Sequence, residues 1–475
     1  MSENIRMDLL STEEVNNIYE KCFLILSEKG VKVDHEEGLK FLSAHGAHVD
    51  NTSHVVKFPR DIVEKALASV PHEATLTGGI VIPDNSGKLY ANTETGANNY
   101  IDPETNIRHS MTIEFDRLWA QLVEQLDEIS ICAYQSPTDV PTKTADIHGL
   151  KTLLENTSKH IMVHPYSLNS LNYLFELGLV VAGSKEEYKK KPRFNFICCS
   201  QAPLVFKEMD YEAIKLSCEY GQIVLPASLT TAGATCPVTI AGQITQVGVE
   251  ILAMIVFSQL IEKGTPVIGN PFSFALNMST GRNLLGSVEA VLSEAACCEF
   301  IKKAFNIPVG QNGFGSDSHI TDGQSTFEEA FMGLFGAFTI PDFLIGAGAL
   351  STILCVSPTK LIIDAKGLNI LNRARAGIKV SEETIALDEI INIQQGGHYL
   401  ENKHTLKHCR EAIRVPLFNT DTYDTWVADG SKDMHTRATE TYMELKKNCK
   451  PLDLDEHIKK ELNNIVKSAD KNLSE

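Results

Sequence analysis

The chain is predicted to fold as an α/β protein, a (β/α)8 TIM barrel with helical N-terminal and C-terminal extensions. Three observations carry this expectation. Short β-rich runs alternate with longer amphipathic segments through the middle of the chain, the pattern of βα units around a parallel sheet. Their spacing, roughly 30 to 45 residues, suits a barrel unit. No G-x-G-x-x-G follows an early strand, which leaves a doubly wound open sheet as the second choice.

In chain order, residues 1–72 read as a helical extension packed on the barrel, 73–400 as the catalytic barrel and 401–475 as a C-terminal helical segment. Strands are expected to begin near Ile129, His160, Phe194, Ile223, Val267, Ile307 and Phe343. An eighth should precede Ile129, near 74–76 or 81–82. Amphipathic stretches at 211–220, 245–263 and 287–305 have the length of crossover helices.

A chain of 475 residues with 43% hydrophobic content can bury a large core, and its formal net charge is −18. That charge argues against nucleic acid, whose affinity comes largely from basic side chains neutralising phosphates. It equally disfavours anionic membranes. The start, Met1-Ser2-Glu3-Asn4-Ile5-Arg6, shows no basic-then-apolar signal, and no apolar run is expected to reach a membrane span of roughly 18 to 20 residues. A cytoplasmic location follows as the expectation.

Eleven cysteines are scattered without C-x-x-C spacing, and the adjacent pairs Cys198-Cys199 and Cys297-Cys298 read as small buried side chains. No metal site is expected, including at His35, His45, His48 and His54, which lack matched cysteine or carboxylate spacing. His404 and His408 fall one helical turn apart without an acid in register and read as surface residues.

The segment 306–324 is the most informative. An apolar run, Asn306-Ile307-Pro308-Val309-Gly310, leads into Gln311-Asn312-Gly313-Phe314-Gly315-Ser316-Asp317-Ser318-His319, followed by Asp322 and Gln324. As a phosphate loop it lacks the third glycine and a lysine. Further blocks are Gly233-Ala234-Thr235-Cys236-Pro237-Val238-Thr239-Ile240-Ala241-Gly242 with Gln246 and Glu250, Gly264-Thr265-Pro266-Val267, Val380-Ser381-Glu382-Glu383-Thr384-Ile385-Ala386, and Tyr423, Trp426 and Gly430-Ser431-Lys432-Asp433. With these motifs the chain resembles the trimethylamine methyltransferase family over nearly its whole length, most weakly between about Ala91 and Asp127. Founding members carry pyrrolysine where this chain has Gly315. The resemblance therefore implies a member lacking pyrrolysine, which demethylates a quaternary amine of the betaine class and passes the methyl group to Co(I) of a corrinoid carried by a separate protein. It also implies that no cofactor is bound tightly by this chain. Glycine betaine, proline betaine and carnitine are not separated by the sequence.

In a barrel, chemistry belongs at the C-terminal ends of the strands. A quaternary ammonium has no N–H to donate, so aromatic faces and complementary charge must recognise it. Tyr100, Tyr134, Phe272, Phe274 and Phe314 are the cage candidates, and His164, Asn312, His398 and Arg282 could meet a carboxylate. Gly315 is expected to leave room beside the ligand, with Asp317 as the adjacent catalytic candidate. Partners expected are the cognate corrinoid protein, the small quaternary amine and further copies of the chain. Two other readings stand beside this one: a metal-dependent hydrolase using Asp317, His319 and His164, and a betaine-binding protein without catalysis.

Overall fold

The computed structural model describes residues 5–473. Eight parallel strands form the barrel: β1 (Tyr90–Thr93), β2 (Ile131–Ala133), β3 (His160–Val163), β4 (Phe194–Ser200), β5 (Val224–Ala232), β6 (Asn270–Asn277), β7 (Gly310–Asn312) and β8 (Phe343–Ala347). Each pairs with its sequence neighbour, and β8 pairs with β1. The barrel closes between β6 and β7. There Gly269 N donates to Pro308 O (2.9 Å) and Gly310 N to Gly269 O (3.0 Å).

A helix follows each strand: α1 (Ile113–Glu124), α2 (Ala145–Asn156), α3 (Leu171–Ala182), α4 (Glu208–Glu219), α5 (Ile240–Ile261), α6 (Val288–Phe305), α7 (Gly323–Phe338) and α8 (Pro358–Arg375). Polar side chains start most of them, as Thr112, Thr239, Ser287, Asp322 and Ser357 accept from backbone N–H groups of the first turn. The 22-residue α5 is long and apolar enough to cross a membrane, a longer run than the sequence reading allowed. In the fold it is a core helix, buried from Val247 to Gln259.

The expected eighth strand needs correction. Ala74–Leu76 and Ile80–Ile82 form an antiparallel hairpin, not a barrel strand. Ala74, Leu76 and Ile82 share one buried cluster with the inward-facing Ile131, Met162, Ile197, Leu225, Ile268 and Phe343, so the hairpin plugs the barrel floor. Thr77 N donates to Nδ1 of His160 at the start of β3 (3.3 Å), which fixes the hairpin at the N-terminal end.

The first 72 residues are not only helical. Helix Thr12–Glu28, capped reciprocally by Ser11 and Glu14, lies on α5, but Val31–Val33, His48–Asp50 and Val55–Lys57 form a small sheet with Val205–Phe206. At the other end, helix Met434–Lys447 packs on α8 and helix Glu456–Leu473 on α2 and α3.

A repeated device holds the strand ends at the C-terminal face. Buried loop N–H groups need acceptors, and carboxylates on six of the eight helices supply them. Asp116 accepts from Gln135 N (3.0 Å), and Asp146 from Tyr166 N (2.9 Å) and Ser170 Oγ (2.6 Å). Glu250 accepts from Leu204 N (2.9 Å) and from the hydroxyls of Ser200 and Ser228. Glu294 accepts from Ser273 N (2.8 Å) and Asn312 N (3.0 Å), Glu328 from Asp317 N (2.9 Å) and Asp364 from Gly348 N (2.7 Å). Burial pushes the carboxyls of Asp116, Asp146, Asp364 and Glu294 up, that of Glu294 to about 8.

Candidate functional site

Side chains alternate across a strand, so every second residue of each barrel strand faces the axis. At the floor those residues are the apolar ones already named. Toward the mouth they turn polar, as Asn92 on β1, Asn270 on β6 and Asn312 on β7, while Asn195 at the start of β4 lies on the floor side beside His160. Asn92 Nδ2 reaches Met162 Sδ (3.2 Å), and Asn195 Oδ1 bonds His160 Nε2 (2.7 Å). Burial lowers His160 to about 4, so it is neutral. Each asparagine keeps buried amide capacity without a protein partner: Oδ1 of Asn92, Nδ2 of Asn195 and of Asn312, and both atoms of Asn270. Buried polar groups are ordinarily satisfied, so these amide atoms hold hydrogen-bonding capacity that the protein does not use.

Glu94 sits directly above Asn92, where β1 leaves the barrel and Glu94 N donates to Ala347 O (3.1 Å). It is 5% exposed. Its carboxylate accepts from Thr95 N (2.9 Å), and no basic side chain pairs with it among the described residues. Burial raises its pKa from the ordinary 4.5 to about 8. Burial without a basic partner thus keeps this acid neutral at pH 7.

Beside it β8 carries an irregularity between Leu344 and Ala347. Gly346, at φ +98, stands there, and a Cβ on it would lie 2.7 Å from Phe314 O and 3.6 Å from Glu94 Oε2. Asn312 pairs with Ile345 on the other side of the same strand. Gly315 completes the group: its φ is +100, and a Cβ would meet Leu285 Cδ2 at 3.1 Å and Ala349 Cβ at 3.4 Å, with Gly346 O at 3.9 Å. Glu94, Asn312, Gly315 and Gly346 thus gather around the end of β8.

The aromatic wall is narrower than expected. Phe272 faces the axis, paired with Leu229 of β5, and joins the barrel interior to a cluster of Phe274, Leu285, Val291 and Met332. Phe274 is buried in that cluster. His164 lies at the end of β3, where burial lowers its pKa, and its ring forms no hydrogen bond among the described residues while standing edge-on to Tyr166.

Other candidates lie elsewhere. Tyr134 points outward onto Gly149 of α2 and donates its hydroxyl to His164 O, because the residues facing inward from β2 are Ile131 and Ala133. Phe314 is 1% exposed and belongs to the core between strands and helices. Tyr100 stacks on Phe115 (3.7 Å between centroids) and His109. His398 and Arg282 are exposed. Asp317 is spent on loops, accepting from Leu285 N (3.0 Å), Gly286 N (2.9 Å) and Thr352 Oγ1 (2.7 Å). His319 bonds Ser351 Oγ (2.8 Å), so the hydrolase trio does not converge. Among the described residues no group of three or more His, Cys, Asp or Glu could hold a metal ion.

Two outcomes follow from these positions. Phe314→Ala should destabilise the fold by about 3–5 kcal/mol, as a buried aromatic does. Ligand affinity of the folded fraction should stay within a few-fold; a selective loss of affinity at unchanged denaturation midpoint would return Phe314 to the pocket. Gly315→Trp should abolish turnover and also add strain of about 1–3 kcal/mol from its positive φ. Turnover within a few-fold of the parent would show that the space beside Gly315 is not used.

The family model described as trimethylamine methyltransferase matches residues 1–473. The chain belongs to the trimethylamine methyltransferase family. Relatives of this methyltransferase include a trimethylamine methyltransferase of Desulfitobacterium hafniense, 27% identical over 97% of this chain and 93% of that protein. One of Methanosarcina barkeri is 28% identical over 98% and 96%. A glycine betaine methyltransferase of Desulfitobacterium hafniense is 27% identical over 99% and 98%. Among solved structures, the monomethylamine methyltransferase of Methanosarcina barkeri has the same fold, with TM-score 0.53 at 12% identity, covering 92% of this chain and 87% of that one.

Proposed function

We propose that this methyltransferase demethylates a quaternary amine of the betaine class and delivers the methyl group to Co(I) of a corrinoid protein. The observation that carries the reading is Glu94, an inward carboxylic acid without a basic partner among the described residues, near asparagine side chains that each keep at least one amide atom without a protein partner. Such a site suits a ligand with both a fixed positive charge and a hydrogen-bond acceptor. A zwitterionic betaine has both. The relative named for glycine betaine supports the class. So does Gly315, the residue this chain carries at the position that pyrrolysine holds in founding members.

In this scheme the ammonium rests between Glu94 and the Phe272 ring, and the substrate carboxylate accepts from Asn270 or Asn312. His164, neutral, adds a further donor at the rim. The N–CH3 bond breaks with its electron pair staying on nitrogen, which leaves as a neutral tertiary amine. The carbon forms its new bond with the electron pair of Co(I), which becomes Co(III). No proton moves in this exchange, so a general acid is not required. The protein's contribution is alignment of nitrogen, methyl and acceptor and exclusion of water, an effect worth several kcal/mol. Leu229, 39% exposed on the inner face at the end of β5, keeps the mouth open toward the acceptor.

Binding a cation should draw a proton off Glu94. Calorimetric titration of glycine betaine, proline betaine and carnitine at pH 7, repeated in two buffers of different ionisation enthalpy, should show release of close to one proton for the ligand that fits. Tight binding without proton release would remove Glu94 as the counter-charge.

A further inference from the structure

Gln135 follows β2 and is fully buried. Unlike the inward asparagines, it leaves no amide atom without a protein partner. Its Oε1 accepts from Ala97 N (3.1 Å), and its Nε2 donates to Glu94 O (2.7 Å) and Ala133 O (3.2 Å). These partners allow one orientation of the carboxamide, because a backbone N–H must meet the amide oxygen and the two carbonyls must meet the NH2 group. Both N–H groups are spent on the backbone, so the side chain serves the loop 94–97 rather than a ligand.

One of those bonds reaches the Glu94 carboxyl through a rigid unit. The carbonyl of Glu94 and the N–H of Thr95 belong to the same peptide group, and Thr95 N donates to Glu94 Oε1 (2.9 Å). A trans peptide is planar with its C=O and N–H on opposite sides, so a donor that fixes the carbonyl also fixes the N–H. Gln135 grips one side of this plane, and the Glu94 carboxylate rests on the other. Glu94 N donates to Ala347 O (3.1 Å), and the Thr93 hydroxyl shares the Glu94 carbonyl at 3.2 Å. A second side-chain clasp on the loop, from Ser136 Oγ to Gly96 O (2.9 Å), lies beyond that peptide.

We propose that Gln135 is a positioning residue for methyl transfer, which through the peptide joining Glu94 to Thr95 sets the direction in which the Glu94 carboxylate meets the substrate cation. This role rests on Glu94 as the counter-charge. Without Nε2 the peptide turns, the Thr95 N–H leaves the carboxylate, and the acid loses the hydrogen bond that favours its ionised form. Burial raises the Glu94 pKa and the Thr95 N–H lowers it; no charged side chain among the described residues contributes. Asp116 of α1, which accepts from Gln135 N, is itself pushed up by burial and keeps that bond whatever side chain residue 135 carries.

The infrared carbonyl stretch of the protonated Glu94 carboxyl tests this in the ligand-free protein. Each spectrum is referenced to the same protein carrying Glu94→Gln, which removes other buried acids such as Glu294. In the parent the band should vanish with a midpoint at about pH 8. In Gln135→Met, which is close to the same size, the midpoint should rise by about one unit, as expected for a carboxylate that loses an N–H donor. Gln135→Asn keeps an amide that falls one methylene short, and should move the midpoint the same way even where the Met variant does not fold. Ser136→Ala loosens the same loop without touching the 94–95 peptide and should leave the midpoint at the parent's value. With a betaine as methyl donor, kcat/KM of the Gln135 variants should fall by about 10- to 100-fold, the loss that follows a misplaced group. A midpoint that stays or falls in the Gln135 variants, one raised equally by Ser136→Ala, or an unchanged kcat/KM would overturn the proposal. The infrared titration uses no substrate: a shifted midpoint in a protein that demethylates no betaine would refute the proposed function while leaving the hold of Gln135 on Glu94 in place.

Discussion

Glu94→Gln is expected to lower kcat/KM for methyl transfer by about 100- to 1,000-fold, the loss that follows removal of one partner from a buried charge pair. The carboxyl is held at about 8 by burial, so in the free protein it is protonated below that value and ionised above it. A cation binds the ionised form. The kcat/KM of the wild type should therefore rise with pH and level off above about 8, and the glutamine variant should lose that rise. Stability has the opposite sign. A carboxyl whose pKa is raised on folding contributes its full stability below the unfolded value near 4.5, and that contribution is lost as pH rises through about 8. Ionising it without a bound cation costs on the order of 5 kcal/mol. At pH 9 the glutamine variant should thus unfold at a higher temperature than the parent while turning over more slowly. A variant both slower and less stable at that pH would make Glu94 a structural residue.

Lys360→Met should destabilise the fold by about 3–5 kcal/mol, a loss of the size expected for Phe314→Ala but with an electrostatic cause. Lys360 is 1% exposed, and its ammonium lies 3.0 Å from Glu329 Oε2 and bonds Asp364. One cation cannot neutralise two buried carboxylates, and burial with the nearby Glu329 pushes Asp364 up. Without the ammonium both acids remain buried against each other. The defect should be largest above neutral pH and shrink in acid, where protonation removes the repulsion. It should also reach the pocket, since Asp364 holds Gly348 N two residues beyond Gly346. Denaturant midpoints at pH 5 and 8 test this; equal losses at both would contradict the repulsion argument. Lys360→Met with Glu329→Gln should recover part of the loss.

Where barrel strands are apolar, their positions were legible from residue pattern. His160, Phe194 and Phe343 begin strands as expected, and those expected at Ile129, Ile223, Val267 and Ile307 begin one to three residues later. The first strand was hidden for a physical reason. Tyr90-Ala91-Asn92-Thr93 is short and half polar because its inward Asn92 serves the pocket, whereas the apolar 74–82 hairpin reads as a cleaner strand and closes the floor instead. Site residues divided along the same line. Phe272, Asn312 and Gly315 lie on strand ends that the pattern located. Glu94 was missed because a lone glutamate between two threonines looks like a solvated turn, and Gly346 because an irregularity in strand pairing leaves no local signal. Tyr134 and Phe314 were placed one position out of register: a strand's two faces differ by a single residue, and composition does not reveal which of them meets the axis.

The measurement that separates these readings most directly is methyl transfer itself. The purified protein would be mixed with a Co(I) corrinoid on its carrier and, in turn, with trimethylamine, glycine betaine, proline betaine and carnitine, following the visible spectrum for loss of Co(I) and formation of methyl-Co(III). Methylation from one betaine, not from trimethylamine, and lost in Glu94→Gln is the expected result. Methylation from trimethylamine alone, or from no donor with an active carrier present, would contradict the assignment of this barrel to a quaternary amine.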